Sequence, residues 1–295
     1  SQFDEVGVSG NTKTKDYVIL REMDIKPGDK VNEKDLKKNL QRIYNLNYFG
    51  TVFPDIRESS STKNAYNLII NVEEKSTDSV NFGGGWGQRS GGFLYSDLNI
   101  NNFLGTGQLI ALRGQWGSNV QTYQFKYHNP WMFGERKSFT YRAWNTRGNY
   151  GYNNMFNTGY RPEIRYGMDA SLGLPHSYEL RSIHKAKLEK VIIEESDNST
   201  AEEYSIQSYT YSLIYDTRDI RFSPLNGAYY VGTIENGFKI QSDSLLFTKY
   251  DISLANFFQT FEKQTIATRF IAGRINGKIE TTEYYYIGGP NTVRG

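Results

Sequence analysis

Two hydrophobic rhythms divide this chain at about residue 76. In the first stretch, Phe3, Val6 and Val8 predict a short strand that closes at the turn pair Gly10-Asn11. Thr14 to Met23 reads as a helix, ended by Lys26-Pro27-Gly28-Asp29. A second helix starts at Asn32, whose short polar side chain suits an N-cap and which follows Val31. It sets Leu36, Leu40, Ile43 and Tyr44 at i, i+4, i+7 and i+8, one apolar stripe. Residues 51–57 and 65–73 are strand-like, the second rich in Leu68, Ile69, Ile70 and Val72. The order β-α-α-β-β predicts an α+β unit, a small sheet with both helices on one face. A free strand edge on such a sheet is a docking place for extended peptide segments.

From Ser79 onward the period is two. Tyr123, Phe125 and Tyr127 alternate with Gln124, Lys126 and His128. Tyr209, Tyr211, Leu213 and Tyr215 repeat the pattern, as do Ile266, Thr268, Phe270 and Ala272. Leu246, Thr248, Tyr250, Ile252 and Leu254 face one way while Lys249, Asp251 and Ser253 face the other. Such runs predict about eleven strands and no helix between them, over 79–88, 92–101, 107–117, 120–129, 137–147, 162–173, 180–195, 204–217, 227–240, 245–260 and 264–275. Short connections at 102–106, 130–134 and 262–263 contrast with longer links at 148–161 and 196–203. Short turns on one side and longer loops on the other suit an antiparallel transmembrane β-barrel. A soluble β-sandwich also has one apolar face per strand. Two features favour the barrel. The opposite positions hold Lys, Arg, Asp and Gln, which a dry sandwich core does not tolerate. Tyr and Trp also stand near strand ends, as in interfacial girdles.

Composition then removes whole classes of chemistry. Lys and Arg number 34 against 32 Asp and Glu, a formal net charge of +2. Residues 1–77 hold 12 of each sign, so neither part carries the basic excess of a nucleic-acid binder. Cys is absent, which excludes disulfides, thiolate zinc sites and Cys nucleophiles. His128, His176 and His184 are too scattered for a metal-ligand motif and read as lumen or surface residues. Gly83-Gly84-Gly85 lacks the helix and the Lys-Ser/Thr of a phosphate loop. Glu194-Glu195 and Glu202-Glu203 read as solvated loop charges, and nothing resembles a Ser elbow or a carboxylate pair with an acid-base partner. No enzyme is expected. The 23 Tyr, 17 Phe and 4 Trp need surfaces to cover.

Four segments, in order, resemble one family. Asn11-Thr12 before a helix, then Arg42-Ile43-Tyr44-Asn45-Leu46-Asn47-Tyr48-Phe49, resemble a POTRA module. Asn102-Phe103-Leu104-Gly105-Thr106-Gly107 resembles the first periplasmic turn of BamA-type barrels. Asp216-Thr217-Arg218-Asp219, with Pro224 and Gly227 behind it, is similar to their mid-barrel strand-turn signature. Gly288-Gly289-Pro290-Asn291-Thr292-Val293-Arg294-Gly295 resembles their lid-loop motif, which normally continues into Phe. The chain thus resembles the family of the outer-membrane protein assembly factor BamA, with its relatives TamA and the two-partner secretion transporters.

The resemblance implies a POTRA-like periplasmic domain over 1–76 and the N-terminal part of an outer-membrane barrel over 77–295, ending in the lid loop. About eleven of about sixteen strands would be present. The remaining strands, and further POTRA modules, are expected beyond the two ends, with the eleventh strand left as an edge. The implied location is the bacterial outer membrane. The implied function is folding and inserting β-barrel proteins there, without a nucleotide or metal cofactor. Outer-membrane lipids, unfolded outer-membrane protein clients and periplasmic or lipoprotein accessory subunits are the implied partners. A polypeptide translocator of the TamA or two-partner secretion type stays open, as does a passive porin or adhesin. Against the latter stands the POTRA-like module, which a porin does not need.

Three sets of site residues follow. On the first barrel strand Val80, Phe82, Gly84 and Trp86 alternate, while Gly83, Gly84, Gly85 and Gly87 remove cross-strand side-chain contacts and weaken pairing. This strand is either one side of a lateral gate or a place where twist or close approach requires glycine. Asp216, Arg218 and Asp219, with Pro224 and Gly227, are either a structural-functional corner or a local ion pair, worth about 0–1 kcal/mol if exposed. In the lid loop, Gly288, Gly289 and Gly295 let the tip around Val293 and Arg294 fold back into the lumen. Arg294 there would offer a rigid fork of donors to a carboxylate, which the resemblance places on a later strand. The plain alternative is an exposed loop Arg.

Overall fold

A computed structural model describes residues 2–87, 91–154, 157–194, 200–262, 264–280 and 283–285, with backbone alone described at 149–154 and 157–161. Contacts divide the chain into two compact units. The first comprises the chain up to Val80 together with Leu98–Ala111 and Asp219–Ser223; the second comprises the rest.

In the first unit β1 (Gln2–Ser9), α1 (Asp16–Leu20), α2 (Glu33–Tyr44), β2 (Phe49–Glu58) and β3 (Ala65–Glu74) follow in the predicted order. β3 is central, with β1 parallel on one side and β2 antiparallel on the other. Its alternate residues Leu68, Ile70 and Val72 are buried and meet Phe3, Ile19, Met23, Leu36, Ile43 and Phe49 in one apolar core. Asn32 caps α2 as expected, its Oδ1 accepting the Lys34 N–H at 3.0 Å.

The first helix is shorter than the predicted span of residues 14–23, and its neighbours show why. The Glu74 carboxylate accepts the backbone N–H groups of Thr12 (3.0 Å), Lys13 (2.8 Å) and Thr14 (2.6 Å), and the Thr12 hydroxyl at 2.6 Å. These donors are drawn into an anion-holding loop, so the helix begins only after Lys15. Beyond Leu20 the chain tightens into three-residue turns, with Glu22 N–H on the Ile19 carbonyl and Met23 N–H on that of Leu20.

Burial raises the Glu74 carboxyl, but hydrogen bonds from Thr12, Thr14 and the Lys13 backbone outweigh it and hold the group at about 2. A carboxyl depressed below its unfolded value of about 4.3 stabilises the fold above that value. The contribution disappears as pH falls towards 2. Glu74→Gln should therefore lower amide-exchange protection at Thr12, Lys13 and Thr14 near neutral pH and flatten its acid dependence. Unchanged protection would mean that other contacts hold this loop.

The eleven expected runs are all strands. They are β4 (Ser79–Gly87), β5 (Gly91–Phe103), β6 (Gln108–Gly117), β7 (Val120–Asn129), β8 (Ser138–Asn154), β9 (Asn157–Pro175), β10 (Leu180–Ile193), β11 (Glu202–Asp216), β12 (Gly227–Gly237), β13 (Phe247–Phe261) and β14 (Gln264–Gly277). They form one sheet in chain order, with β4 and β14 at its ends. One expectation fails: within the 148–161 link, residues 148–154 and 157–161 are strand and not loop. β8 and β9 stay paired out to Asn154↔Asn157. Its Asn and Gly content reads as a loop, but ladder bonds are made by the backbone and do not depend on that composition.

The two faces of the sheet differ in kind. The register places Tyr211, Ile234 and Tyr250 in one cross-strand row, all 36–42 % exposed. The adjacent row on the opposite face is Thr210, Glu235 and Lys249. An exposed apolar face backed by an ionic one is the reverse of a soluble sandwich and fits a membrane barrel.

Candidate functional site

Within the first unit the turn Asn102–Gly107 is seated on the loop before α1. Asn102 is buried and left-handed at φ 60°; its Nδ2 donates to Thr14 Oγ1 (2.7 Å) and its Oδ1 accepts the Gly107 N–H (2.7 Å). The Lys15 N–H donates to the Gly105 carbonyl at 2.9 Å. Gly105 has φ +73°, and a Cβ there would stand 1.9 Å from the Lys13 carbonyl oxygen. Only glycine fits. The Tyr48 hydroxyl donates to the Gly107 carbonyl at 3.2 Å. A second segment, Asp219–Ser223, brings the Phe222 ring within 6.0 Å of Tyr44. The run from Arg42 to Phe49 thus has two roles. Ile43 and Phe49 fill the core, while Tyr44 and Tyr48 meet the two turns.

The corner after β11 is held by its own residues. Arg218 Nε and Nη2 donate to Asp216 Oδ1 (2.8 Å) and Oδ2 (2.9 Å), a bidentate pair. The guanidinium lies 4.3 Å from the Tyr229 ring centroid. Its side chain is 18 % exposed and that of Asp216 is 9 % exposed. Gly227 closes the corner at φ +113°, where a Cβ would meet the Thr217 carbonyl oxygen at 2.4 Å. Asp219 Oδ1 accepts the Ile220 N–H at 2.8 Å, and Pro224 follows in the same connection.

β4, running from Ser79 through Gly87, stands at one end of the sheet with Val80, Phe82 and Trp86 exposed. Its glycines lie under β5. A Cβ on Gly83 would stand 2.5 Å from Tyr95 Cε1, one on Gly84 2.8 Å from Leu94 Cδ2, and one on Gly85 3.1 Å from Phe93 Cζ. Close approach is thus one reason for these glycines. It concerns the side of β4 that faces β5 and leaves the gate reading compatible.

The ionic face carries a cluster that sequence reasoning missed. Arg165 on β9 pairs with Glu163, with Glu189 on β10 (3.5 Å) and with Glu283 (2.8 Å). Lys249 on β13 also reaches Glu283 at 3.3 Å, and Lys187 reaches Glu235 at 3.3 Å. The Trp144 indole N–H donates to Glu189 at 3.1 Å. In the sequence these residues were visible only as charges at alternate positions; which charge meets which depends on register. Each of the three His residues meets a hydroxyl: His128 that of Thr140, His176 that of Ser182, His184 that of Tyr209. The lid-loop residues Gly288, Gly289, Val293, Arg294 and Gly295 lie outside the described residues.

Residues 102–295 match the Omp85 superfamily domain, and residues 2–75 match POTRA, the surface antigen variable number repeat. A putative outer membrane protein assembly factor of Treponema pallidum (strain Nichols) is 34 % identical over 169 residues, 51 % of this chain and 20 % of that protein. The outer membrane protein assembly factor BamA of Neorickettsia risticii (strain Illinois) is 27 % identical over 278 residues, 92 % of this chain and 37 % of that protein. This chain therefore spans between a fifth and somewhat over a third of these relatives. Among solved structures, BamA from Haemophilus ducreyi lacking POTRA domains 1-3 superposes with a TM-score of 0.65 at 16 % identity, covering all of this chain and 60 % of that one. CdiB from Escherichia coli gives 0.66 at 12 % identity, covering all of this chain and 58 % of that one. At such identities the likeness is one of fold. The POTRA module and the two-faced sheet place the chain in the bacterial outer membrane, with residues 1–76 in the periplasm. With the family model matching residues 102–295 behind a POTRA module, the chain belongs to the Omp85 superfamily as a BamA-type member.

Proposed function

We propose that the full-length protein folds and inserts β-barrel proteins into the outer membrane, and that it does so as an assembly device, not as an enzyme. The observation that carries this reading is β4, a glycine-rich strand at the end of the sheet. An incoming strand cannot carry bare N–H and C=O groups into lipid, because each costs several kcal/mol. A sheet edge supplies the missing partners by β-augmentation. Gly83, Gly84, Gly85 and Gly87 keep its pairing to the final strand of the full barrel weak enough to open. Residues 1–76 receive client segments along a free edge of their small sheet. Unfolded outer-membrane proteins are the clients, lipids the surroundings, and periplasmic or lipoprotein subunits the accessory partners. The driving free energy comes from client folding and insertion, with no nucleotide or metal. Arg294 secures the lid loop inside the lumen.

A disulfide between Phe82→Cys on β4 and a Cys on the final strand of the full-length protein tests the seam. Oxidation should abolish client assembly and reduction should restore it. Full activity in the locked form would sink the lateral seam. Export of a polypeptide through the lumen, the other reading, predicts that the lock leaves activity intact.

A further inference from the structure

We propose that Ile279, Glu283 and Tyr285 fasten the chain after β14 to the ionic face of the sheet as a strap, with Glu283 as its positioning residue. The strap sets where the chain leaves β14 for the lid loop, independently of Arg294. Three attachments of different chemistry carry this. At the first, Ile279 packs against a small buried cluster made by Val191, Ile193, Tyr204, Ile206, Leu245 and Phe247. At the second, Glu283 is only 9 % exposed and accepts from Arg165 Nη1 (2.8 Å), Lys249 Nζ (3.3 Å) and the Tyr204 hydroxyl (3.2 Å). At the third, the Tyr285 hydroxyl donates to Asp251 Oδ1 at 2.5 Å, and its ring lies over Gly273, where a Cβ would stand 2.7 Å from Tyr285 Cζ. The Glu283 N–H also donates to the Glu280 carbonyl at 2.9 Å.

The contacts are not those of a loop that merely rests on a wall. A carboxylate this buried is stable only with its cations in place, and removing one side strands the other. Arg165 has Glu163 and Glu189 as further partners. Lys249, 15 % exposed, has Glu283 as its carboxylate among the described residues. Glu283 therefore ties strands β9 and β13 to one point on the strap. Gly273 on β14, having no Cβ, leaves room for the Tyr285 ring against the strand that the strap has just left. The inference does not rest on the assembly reading, since a strap of this kind serves an exporter equally.

The test uses the full-length protein in outer-membrane vesicles with a nitroxide on Tyr284→Cys. Tyr284 is 54 % exposed and takes part in none of the three attachments. Its electron paramagnetic resonance spectrum reads nanosecond backbone order. The parent should give a restricted spectrum. Glu283→Ala should raise the mobile component several-fold, Glu283→Asp should restore most of the restriction, and Lys249→Met should mobilise the label without touching the strap's own sequence. Heat-modifiable migration checks that each barrel is folded. If Glu283→Ala fails to fold, Lys249→Met decides. A mobile parent spectrum, or folded variants as restricted as the parent, overturns the strap. Loss of client assembly with a restricted label would instead concern the function proposed above.

Discussion

Replacing Arg165 by Met should destabilise the folded sheet by about 3–5 kcal/mol. The substitution keeps an unbranched apolar stem and removes the one guanidinium shared by Glu163, Glu189 and Glu283. Those carboxylates are 1 %, 8 % and 9 % exposed, so none can turn to bulk water without moving its backbone. Tyr204 would also lose the donor that reaches its hydroxyl at 3.2 Å. The urea midpoint of the heat-modifiable band of the full-length protein measures the loss. Arg165→Lys keeps a positive charge but not the planar fork, and should recover only part of it. A shift within about 0.5 kcal/mol, as for an ordinary surface site, would contradict a cluster that depends on this residue.

Gly105→Ala should unseat the turn after β5 at a cost of about 2–3 kcal/mol, combining a left-handed backbone penalty of about 1–2 kcal/mol with a lost hydrogen bond of about 1 kcal/mol. The new methyl would collide with the backbone oxygen of Lys13, an atom that no rotamer change can move. The Lys15 N–H to Gly105 bond must then open. An internal control exists in Gly28, also left-handed at φ +94° but with nothing within 4 Å of a built Cβ. Gly28→Ala should cost about 1 kcal/mol and leave the turn seated. Amide-exchange protection at Lys15 separates the two variants. Equal protection in both would mean that the turn does not need Gly105 to dock.

The strand pattern was legible because it is local. Alternation with period two needs only the chain's own pleat, and it marked all eleven strands from β4 to β14. The Asn32 cap and the Asp216–Arg218 pair are two residues in span, so their chemistry was readable from spacing. The paired tip of β8 and β9 was not, because Asn and Gly conceal a ladder that the backbone alone makes.

What the amino-acid order determined, then, is the list of elements, the faces they turn to each other, and the motif order that points to an Omp85 barrel behind a POTRA module. The tertiary structure decided which distant groups meet. Glu74 organises backbone amides 60 residues away, and in doing so it shortens α1. Asn102 reaches Thr14 across 88 residues. Arg165 and Glu283 meet only in the register that β9 to β14 hold. Charge at alternate positions is a property of one strand. The partner of each charge is a property of the whole sheet, since a one-residue slip in any pairing turns every side chain of that strand to the other face.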